Sequence, residues 1–204
     1  MKYYFKLGAI LFLIAAVASG VLAFVNNFTR PIIEENQRRA EDEARREVLP
    51  EAAVFKLMNT EYPFYVGFDN EKNIAGYTFI AEEMGYSGVI QTMVGVDPNM
   101  RITNIKVIKQ SETPGLGANC VRPEFTNQFC NLALEELVLD KDSGSIVTIT
   151  GATITTRALT SSLQKAIKGV SEELRNLPEI SYSDLIEDEA EFVKEEQPSA
   201  EEVE

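Results

Sequence analysis

The residues with the clearest capacity for chemistry in this sequence are the threonines of the segment TITGATITTRAL, residues Thr148–Leu159. Five hydroxyl side chains surround a Gly-Ala pair at 151–152, whose small side chains let a ligand approach the backbone closely. A helix that begins near Thr155 or Thr156 would present free N–H groups and the positive end of its dipole, which together suit a phosphate group. Thr153 would then lie beside that phosphate.

The same hydroxyl groups also have a purely structural interpretation. Thr155 or Thr156 would cap the helix, contributing about 1 kcal/mol, and the other threonines would be ordinary strand residues. A hydroxyl group is a poor nucleophile unless a base activates it, and the sequence contains no histidine. The residues alone therefore leave both roles open, and any reaction of a threonine here requires catalysis by another protein.

The composition of the 204 residues excludes several classes of function. The formal net charge is −13, and we find no basic groove that would bind nucleic acid. The lack of histidine excludes His-based triads, His-ligated zinc and bis-His haem. Cys120 and Cys130 are too few for a Cys-rich metal cluster, so we expect no metal site; they would form a disulfide or remain as buried free thiols. Redox chemistry would therefore need an organic cofactor or a distant partner.

The N-terminal segment 1–27 is predicted to be a transmembrane anchor. Leu7–Val25 contains no charged residue and no proline, and as a helix it spans roughly 28 Å, about the thickness of a bilayer core. A cleaved signal peptide is the alternative, although its apolar region is usually about 7–15 residues long. Lys2 and Lys6 precede the helix and favour a cytoplasmic N-terminus, which would leave the rest of the protein outside the cytoplasm.

Three further segments are predicted after the anchor. Pro31 is expected to open a second, juxtamembrane helix within 28–49, because proline suits a first helical turn. Residues 50–178 are predicted to form one α+β domain with an antiparallel sheet and packed helices. Strand-like runs lie at 62–69, 74–82, 88–97, 102–110 and 145–150, and helix-like runs at 124–137 and 155–174. Residues 179–204 hold eleven acidic residues and one lysine, which predicts a disordered acidic tail.

Three stretches of the sequence also resemble motifs of a known family. Residues 85–90 read GYSGVI, residues 111–118 read SETPGLGA, and residues 150–155 read TGATIT. They are similar to motifs of the FMN-binding domain found in RnfG and NqrC, which are membrane-anchored subunits of bacterial ion-pumping redox complexes. The motifs follow the family order behind one N-terminal anchor, and the resemblance covers roughly residues 1–178.

The resemblance implies a covalently bound flavin. In the family, FMN is joined through its phosphate to a threonine by a separate flavin transferase that acts outside the cytoplasm. The matching acceptor is Thr153, and Thr155 is the second candidate. By the same resemblance, the residues around the phosphate would be Thr150, Gly151 and Ala152, and those around the isoalloxazine ring would be Glu112, Thr113, Leu116, Gly117 and Tyr86.

The resemblance also implies a function and partners. The chain would be the electron-transfer subunit of an Rnf-type complex in the cytoplasmic (inner) membrane, which couples ferredoxin:NAD oxidoreduction to ion movement. It would relay electrons to or from other membrane and peripheral subunits, and would catalyse no reaction alone. The alternatives are an NqrC-type subunit of a Na⁺-translocating NADH:quinone reductase and a cofactor-free, membrane-anchored scaffold domain.

One position departs from the family pattern. Val147 stands where family members often carry an aspartate, three residues before the Ser or Thr of the motif. That aspartate is thought to help recognition by the transferase or metal binding during transfer, so the departure bears on the efficiency of flavin attachment. Asp142 is too far away in the sequence to be a direct match.

Overall fold

The computed structural model describes residues 2–177, in which a long N-terminal helix is followed by a five-stranded antiparallel sheet and further helices. The predicted α+β fold class is therefore confirmed. The predicted acidic tail, residues 179–204, lies outside the described residues. The chain divides into two compact units between Asp42 and Glu43.

Helix α1, Lys2–Val48, continues through Pro31. The prediction of a separate juxtamembrane helix that begins at Pro31 is therefore wrong. A proline inside a helix removes one backbone hydrogen bond, but the turns on either side can continue the helical path. Here the ion pair between Arg30 and Glu34, 2.8 Å long, spans the position and supports that continuation.

The N-terminal part of α1 is apolar on every side. Among residues 2–177, α1 is the one helix long and apolar enough to cross a membrane. Its large side chains are exposed, as Phe12 shows at 76%. An apolar helix without a polar face is more stable in lipid than in water, which agrees with the predicted anchor.

The strands of the sheet form a meander in which each strand pairs with its neighbours in the sequence. Their bounds are β1 Val54–Met58, β2 Phe64–Phe68, β3 Ile74–Met84, β4 Val89–Val96 and β5 Ile102–Lys109. The last four confirm the strands predicted at 62–69, 74–82, 88–97 and 102–110. The sequence-based prediction misses β1 because this strand is short and none of its residues is fully buried, which leaves little hydrophobic pattern to detect.

Helix α3, Thr153–Asn176, packs on one face of the sheet. Its fully buried residues Leu159, Leu163 and Ile167 follow the i,i+4 spacing read from the sequence, so the predicted helix and its core-facing stripe are confirmed. These side chains share a core with Phe79 of β3. The helix therefore starts beside the sheet, and its first residues are the threonines of the TGATIT motif.

The other face of the sheet is covered by the last turns of α1. Val48 is fully buried against Met93, in a cluster that includes Ile80, whose side chain points away from that of its neighbour Phe79. The guanidinium of Arg45, which is 7% exposed, lies 3.6 Å from the ring centroid of Tyr65. The end of α1 is thus part of the same folded unit as the sheet.

The predicted helix at 124–137 is not formed. Its place is taken by α2, Pro123–Thr126, and by short helical turns separated by extended residues. Asn131 has a left-handed backbone with φ 66°, which no continuous helix accommodates. The backbone N–H of Asn131 donates instead to the carbonyl oxygen of Ile102, which ties this segment to β5.

The predicted strand at 145–150 is also wrong. Ile146 makes one isolated parallel bridge to Leu139, and the following residues pair with no strand in the described part of the chain. Their N–H groups donate to side chains: that of Thr148 to Asp140 Oδ1 at 3.2 Å and that of Ile149 to Thr156 Oγ1 at 3.1 Å. Side-chain acceptors therefore satisfy the backbone that β-branched composition alone would assign to a sheet.

Replacing Arg45 by methionine is expected to lower the free energy of unfolding by about 1–2 kcal/mol, because a desolvated cation over an aromatic ring contributes on that order. Chemical unfolding of the detergent-solubilised protein, followed by circular dichroism, measures the loss. Arg46→Met is the matched control, since Arg46 is the adjacent arginine and is exposed. Equal losses in the two variants would contradict the assigned role of the Arg45–Tyr65 contact.

Candidate functional site

A pocket of about 520 Å³ lies between the first turn of α3, the loop 111–118 and the turn that contains Tyr86. Its lining residues are Tyr86, Glu112, Thr113, Leu116, Gly117, Gly151, Ala152, Thr153, Ile154 and Thr155. Nine of the ten residues expected at the flavin are thus brought together, although the sequence separates them by up to 69 positions (155 − 86). Thr150 is exposed in the preceding turn and does not line the pocket. Ile154 is the lining residue that sequence reasoning missed.

The first turn of α3 begins two residues earlier than predicted. Ala152 is the residue before the helix, and no side chain among the described residues caps it. The prediction that Thr155 or Thr156 is the N-cap is therefore wrong. Gly151, with φ 75°, supplies the left-handed turn that admits the chain into the helix. The N–H groups of the first turn consequently have no capping side chain at the edge of the pocket.

The carboxylate of Glu112 is the centre of the pocket's hydrogen bonding. It is 5% exposed; its Oε1 accepts a hydrogen bond from the Ser87 N–H at 2.8 Å, and its Oε2 accepts one from the Thr155 hydroxyl at 2.5 Å. Ser87 belongs to the GYSG turn and Thr155 to the first turn of α3. One side chain therefore joins all three motif segments.

Two glycines make room for this carboxylate. A Cβ atom at Gly85 would lie 2.6 Å from Glu112 Oε1, and one at Gly117 would lie 2.6 Å from both Glu112 Oε2 and Thr155 Oγ1. Neither distance is possible without displacing the charged group. The glycines of the GYSG and GLG motifs are thus required by close approach to the carboxylate.

The carboxylate is held in its ionised form. Burial alone would raise the pKa of Glu112, but hydrogen bonds from the Thr155 hydroxyl and from the backbone N–H groups of Ser87, Tyr86 and Gly88 outweigh burial and lower the pKa below its usual 4.5. A negative charge is therefore fixed in the wall of the pocket at neutral pH.

Thr153 differs from Thr155 in exposure and in partner. Thr153 is half-buried, and its Oγ1 accepts a hydrogen bond from Lys141 Nζ at 2.5 Å. Thr155 is 1% exposed and donates to Glu112. Lys141 was not expected at the site, because twelve positions separate it from Thr153 (153 − 141) and no sequence pattern indicates their pairing.

The rim of the pocket is apolar and open. Tyr86 is 69% exposed, Leu116 43% and Ile154 57%. Exposed apolar groups around a concave site are typical of surfaces that a flat ligand or a partner covers. The exposure of these side chains depends on the tertiary fold, which explains why the sequence does not reveal it.

The two cysteines are free thiols, so the disulfide alternative is not formed in this structure. Cys120 is fully buried, and burial, helped by the nearby charge of Glu112, raises its pKa to about 11. Cys130 is half-buried and lies 3.8 Å from Asn104 Oδ1. Neither thiol lines the pocket. Within residues 2–177 no three Cys, Asp or Glu side chains are grouped as metal ligands would be.

Comparison with known proteins gives two family matches. A profile of the FMN-binding domain matches residues 85–168, which include all three motifs, and a profile of the RnfG N-terminal region matches residues 2–48, the same span as α1. Both matches lie in the order expected from the resemblance.

Individual relatives agree with these profiles, and each is a subunit of an ion-translocating complex. The chain is 35% identical to its counterpart in the ion-translocating oxidoreductase complex of Methanosarcina acetivorans, covering 78% of this chain and 89% of that protein. It is 38% identical to the counterpart in the Na⁺-translocating ferredoxin:NAD⁺ oxidoreductase complex of Acetobacterium woodii, covering 82% and 91%. The counterpart in the proton-translocating complex of Clostridium ljungdahlii is 31% identical, covering 74% and 83%.

The fold also resembles a solved structure. One component of the Na⁺-translocating NADH-quinone reductase from Parabacteroides distasonis superposes with a TM-score of 0.51 at 19% identity, covering 66% of this chain and 92% of that one. At this level of identity the likeness concerns the fold alone.

Replacing Glu112 by glutamine is expected to lower the melting temperature at pH 7, and the difference from the wild type should shrink as the pH falls below about 4.5. A carboxyl whose pKa is lowered by folding contributes stability that is complete above its unfolded pKa and is lost as the pH falls through the folded pKa. Melting curves between pH 3 and pH 7, as approximate limits of that window, measure the effect.

Glu124→Gln is the control for this pH series, since Glu124 is an exposed glutamate at the start of α2. It should change the melting temperature little at any pH in the series. A Glu112→Gln difference that stayed constant across the series would show that the charge of Glu112 does not stabilise the fold.

Proposed function

Because this chain belongs to the RnfG family of FMN-binding-domain proteins, we propose that it carries FMN bound covalently to Thr153 and relays electrons within an ion-translocating oxidoreductase complex. The observation that carries the proposal is the convergence of the three motif segments on one pocket, joined through Glu112. Independent structural roles for the three motifs would give no reason for them to meet.

The choice of Thr153 over Thr155 as the acceptor follows from their surroundings. An acceptor hydroxyl has to reach a phosphorus atom held by another protein, and Thr155 is 1% exposed with its hydroxyl engaged by Glu112. Thr153 is half-buried at the edge of the pocket. A carboxylate beside Thr155 would also repel a phosphate group. These features support Thr153 as the acceptor and give Thr155 a positioning role.

The residues around the pocket fit FMN. The uncapped N–H groups in the first turn of α3 suit a phosphate, and Gly151 and Ala152 leave room beside them. Leu116 and Tyr86 offer apolar surface for a flat ring. When bound, FMN supplies electron transfer in steps of one or two electrons. The chain contributes the tether, the shape of the pocket and the fixed charge of Glu112, which influences the energy of any charge on the flavin.

The membrane arrangement is the second part of the proposal. The apolar part of α1 would anchor the chain in the cytoplasmic membrane, with the flavin domain on the extracytoplasmic side, where the flavin transferase would act. The partners would be the other membrane and peripheral subunits of an Rnf-type complex. Relatives are named for Na⁺ and for proton translocation. Since Leu7–Val25 contains no ionisable residue, we assign the ion pathway to other subunits.

Two alternatives remain distinguishable from this proposal. An NqrC-type subunit is supported by fold likeness at 19% identity, whereas the relatives from ion-translocating oxidoreductase complexes are 31–38% identical over most of their length. A cofactor-free scaffold would explain the threonines as structural, but it would leave an open pocket of about 520 Å³ with an apolar rim and no ligand. The scaffold predicts a colourless protein, and the flavin relay predicts a yellow one.

Co-expression with a flavin transferase is expected to add the mass of FMN less one water to the full-length protein. Peptide mapping should locate the adduct on Thr153, and Thr153→Ala should abolish it while Thr153→Ser keeps it, because serine retains the hydroxyl. Intact-mass spectrometry and the visible flavin absorption are the measurements. An adduct on Thr155 would contradict the assignment of the acceptor, and a colourless protein under conditions that modify a known family member would favour the scaffold.

Replacing Val147 by aspartate is expected to increase the initial rate of flavin attachment, because it restores the acidic residue that the family often has at this position. The side chain of Val147 is 59% exposed, so a carboxylate can be introduced without burial. A time course of intact mass compares the variant with the wild type, and Val147→Asn controls for polarity without charge. A rate unchanged in Val147→Asp would mean that this chain meets the requirement in another way.

A further inference from the structure

We infer that Lys141 positions the acceptor oxygen of Thr153 for flavin attachment and afterwards neutralises the phosphate joined to it. The inference rests on the proposed function and extends it to a residue outside the pocket lining. Its starting point is the hydrogen bond of 2.5 Å that Lys141 Nζ donates to Thr153 Oγ1. The acceptor oxygen is thus in direct contact with a cation before any flavin arrives.

The backbone that carries Lys141 is fixed on both sides. Lys141 is the middle residue of the helical turn Asp140–Asp142. Asp140 Oδ1 accepts hydrogen bonds from the N–H groups of Lys141 at 2.9 Å and of Thr148 at 3.2 Å. Asp142 forms an ion pair of 2.7 Å with Arg157, one turn after Thr153 on α3. The turn is therefore clamped against the start of the helix, so the direction of Lys141 toward the acceptor is a property of the fold.

The charges around the two threonines differ in sign. The oxygen of Thr153 faces an ammonium group, whereas the hydroxyl of Thr155 faces the carboxylate of Glu112. The flanking carboxylate Asp142 is paired with Arg157, which leaves the ammonium of Lys141 directed to Thr153. A phosphate that arrives between these two threonines is attracted on the Thr153 side and repelled on the Thr155 side.

The chemistry of attachment makes use of that charge. Thr153 Oγ1 forms a bond to the phosphorus of the FMN half of a flavin adenine dinucleotide, and the phosphoanhydride bond breaks so that AMP leaves. The hydroxyl proton passes to a base of the transferase. Because Lys141 donates to Oγ1, the hydroxyl hydrogen points away from the ammonium, and the ammonium offsets the negative charge that develops on Oγ1. The same cation then stands beside the phosphodiester anion.

The test uses the full-length protein in detergent, a purified flavin transferase and flavin adenine dinucleotide, with intact mass followed over time. Lys141→Met should lower the initial rate of adduct formation at least about tenfold, since a charge-assisted hydrogen bond is lost. Lys141→Arg should fall between Lys141→Met and the wild type, because it keeps the charge but changes the donor geometry. Melting curves should be unchanged, since Lys141 is exposed.

Lys165→Met is the matched control. Lys165 is another exposed lysine whose ammonium is paired, in this case with Glu83, and it lies three turns further along α3. Its rate should stay within about twofold of the wild type, because its charge is far from the acceptor. In addition, the ³¹P resonance of the attached phosphodiester should shift between wild type and Lys141→Met, an effect that a purely structural role of Lys141 would not produce.

Each outcome decides between the inference and the proposed function. An adduct that forms on Thr153 at the wild-type rate without Lys141 would overturn the inference and leave the proposed function intact. Equal slowing in Lys141→Met and Lys165→Met, or no recovery in Lys141→Arg, would also overturn it, because the local charge would then not be the cause. A wild-type protein that accepts no flavin would remove the proposed function and the inference together.

Discussion

A buried carboxylate must be fully hydrogen-bonded or it destabilises the fold, and at Glu112 this requirement brings three distant segments of the chain together. Its two oxygens bind Ser87 in the turn between β3 and β4 and Thr155 in the first turn of α3. Gly85 and Gly117 have no side chain, so nothing else occupies the space of the carboxylate. The pocket, its charge and the difference between the two threonines all depend on this one group.

The sheet determines where that group lies. Because the five strands form an antiparallel meander, the β3–β4 turn and the loop that follows β5 emerge at the same edge, and α3 returns across the sheet to begin there. The opposite face is closed by the end of α1, which packs Val48 against Met93. The site is therefore built on loops at one edge, while both faces of the sheet are used for stability.

The predictability of the structure followed the type of signal in the sequence. The apolar spacing of Leu159, Leu163 and Ile167 indicates α3 correctly, because that pattern reports the core directly. The β-branched run at 145–150 misleads, since its N–H groups find side-chain acceptors such as Asp140 in place of a neighbouring strand. The motif resemblance located nine of the ten expected residues in one pocket, yet Lys141 stayed hidden because its contact with Thr153 exists in three dimensions alone.

The contact between Thr155 and Glu112 has a consequence for selectivity that a synthetic chemist would recognise. Two secondary alcohols of identical structure stand two residues apart, and a reagent in solution would have little basis for discriminating between them. The fold solves this problem of regioselectivity as a protecting group does: it masks one alcohol with a hydrogen-bonded anion and leaves the other at the surface. An enzyme that modifies this chain can then be permissive about the motif it reads, because the substrate itself has already removed the wrong choice.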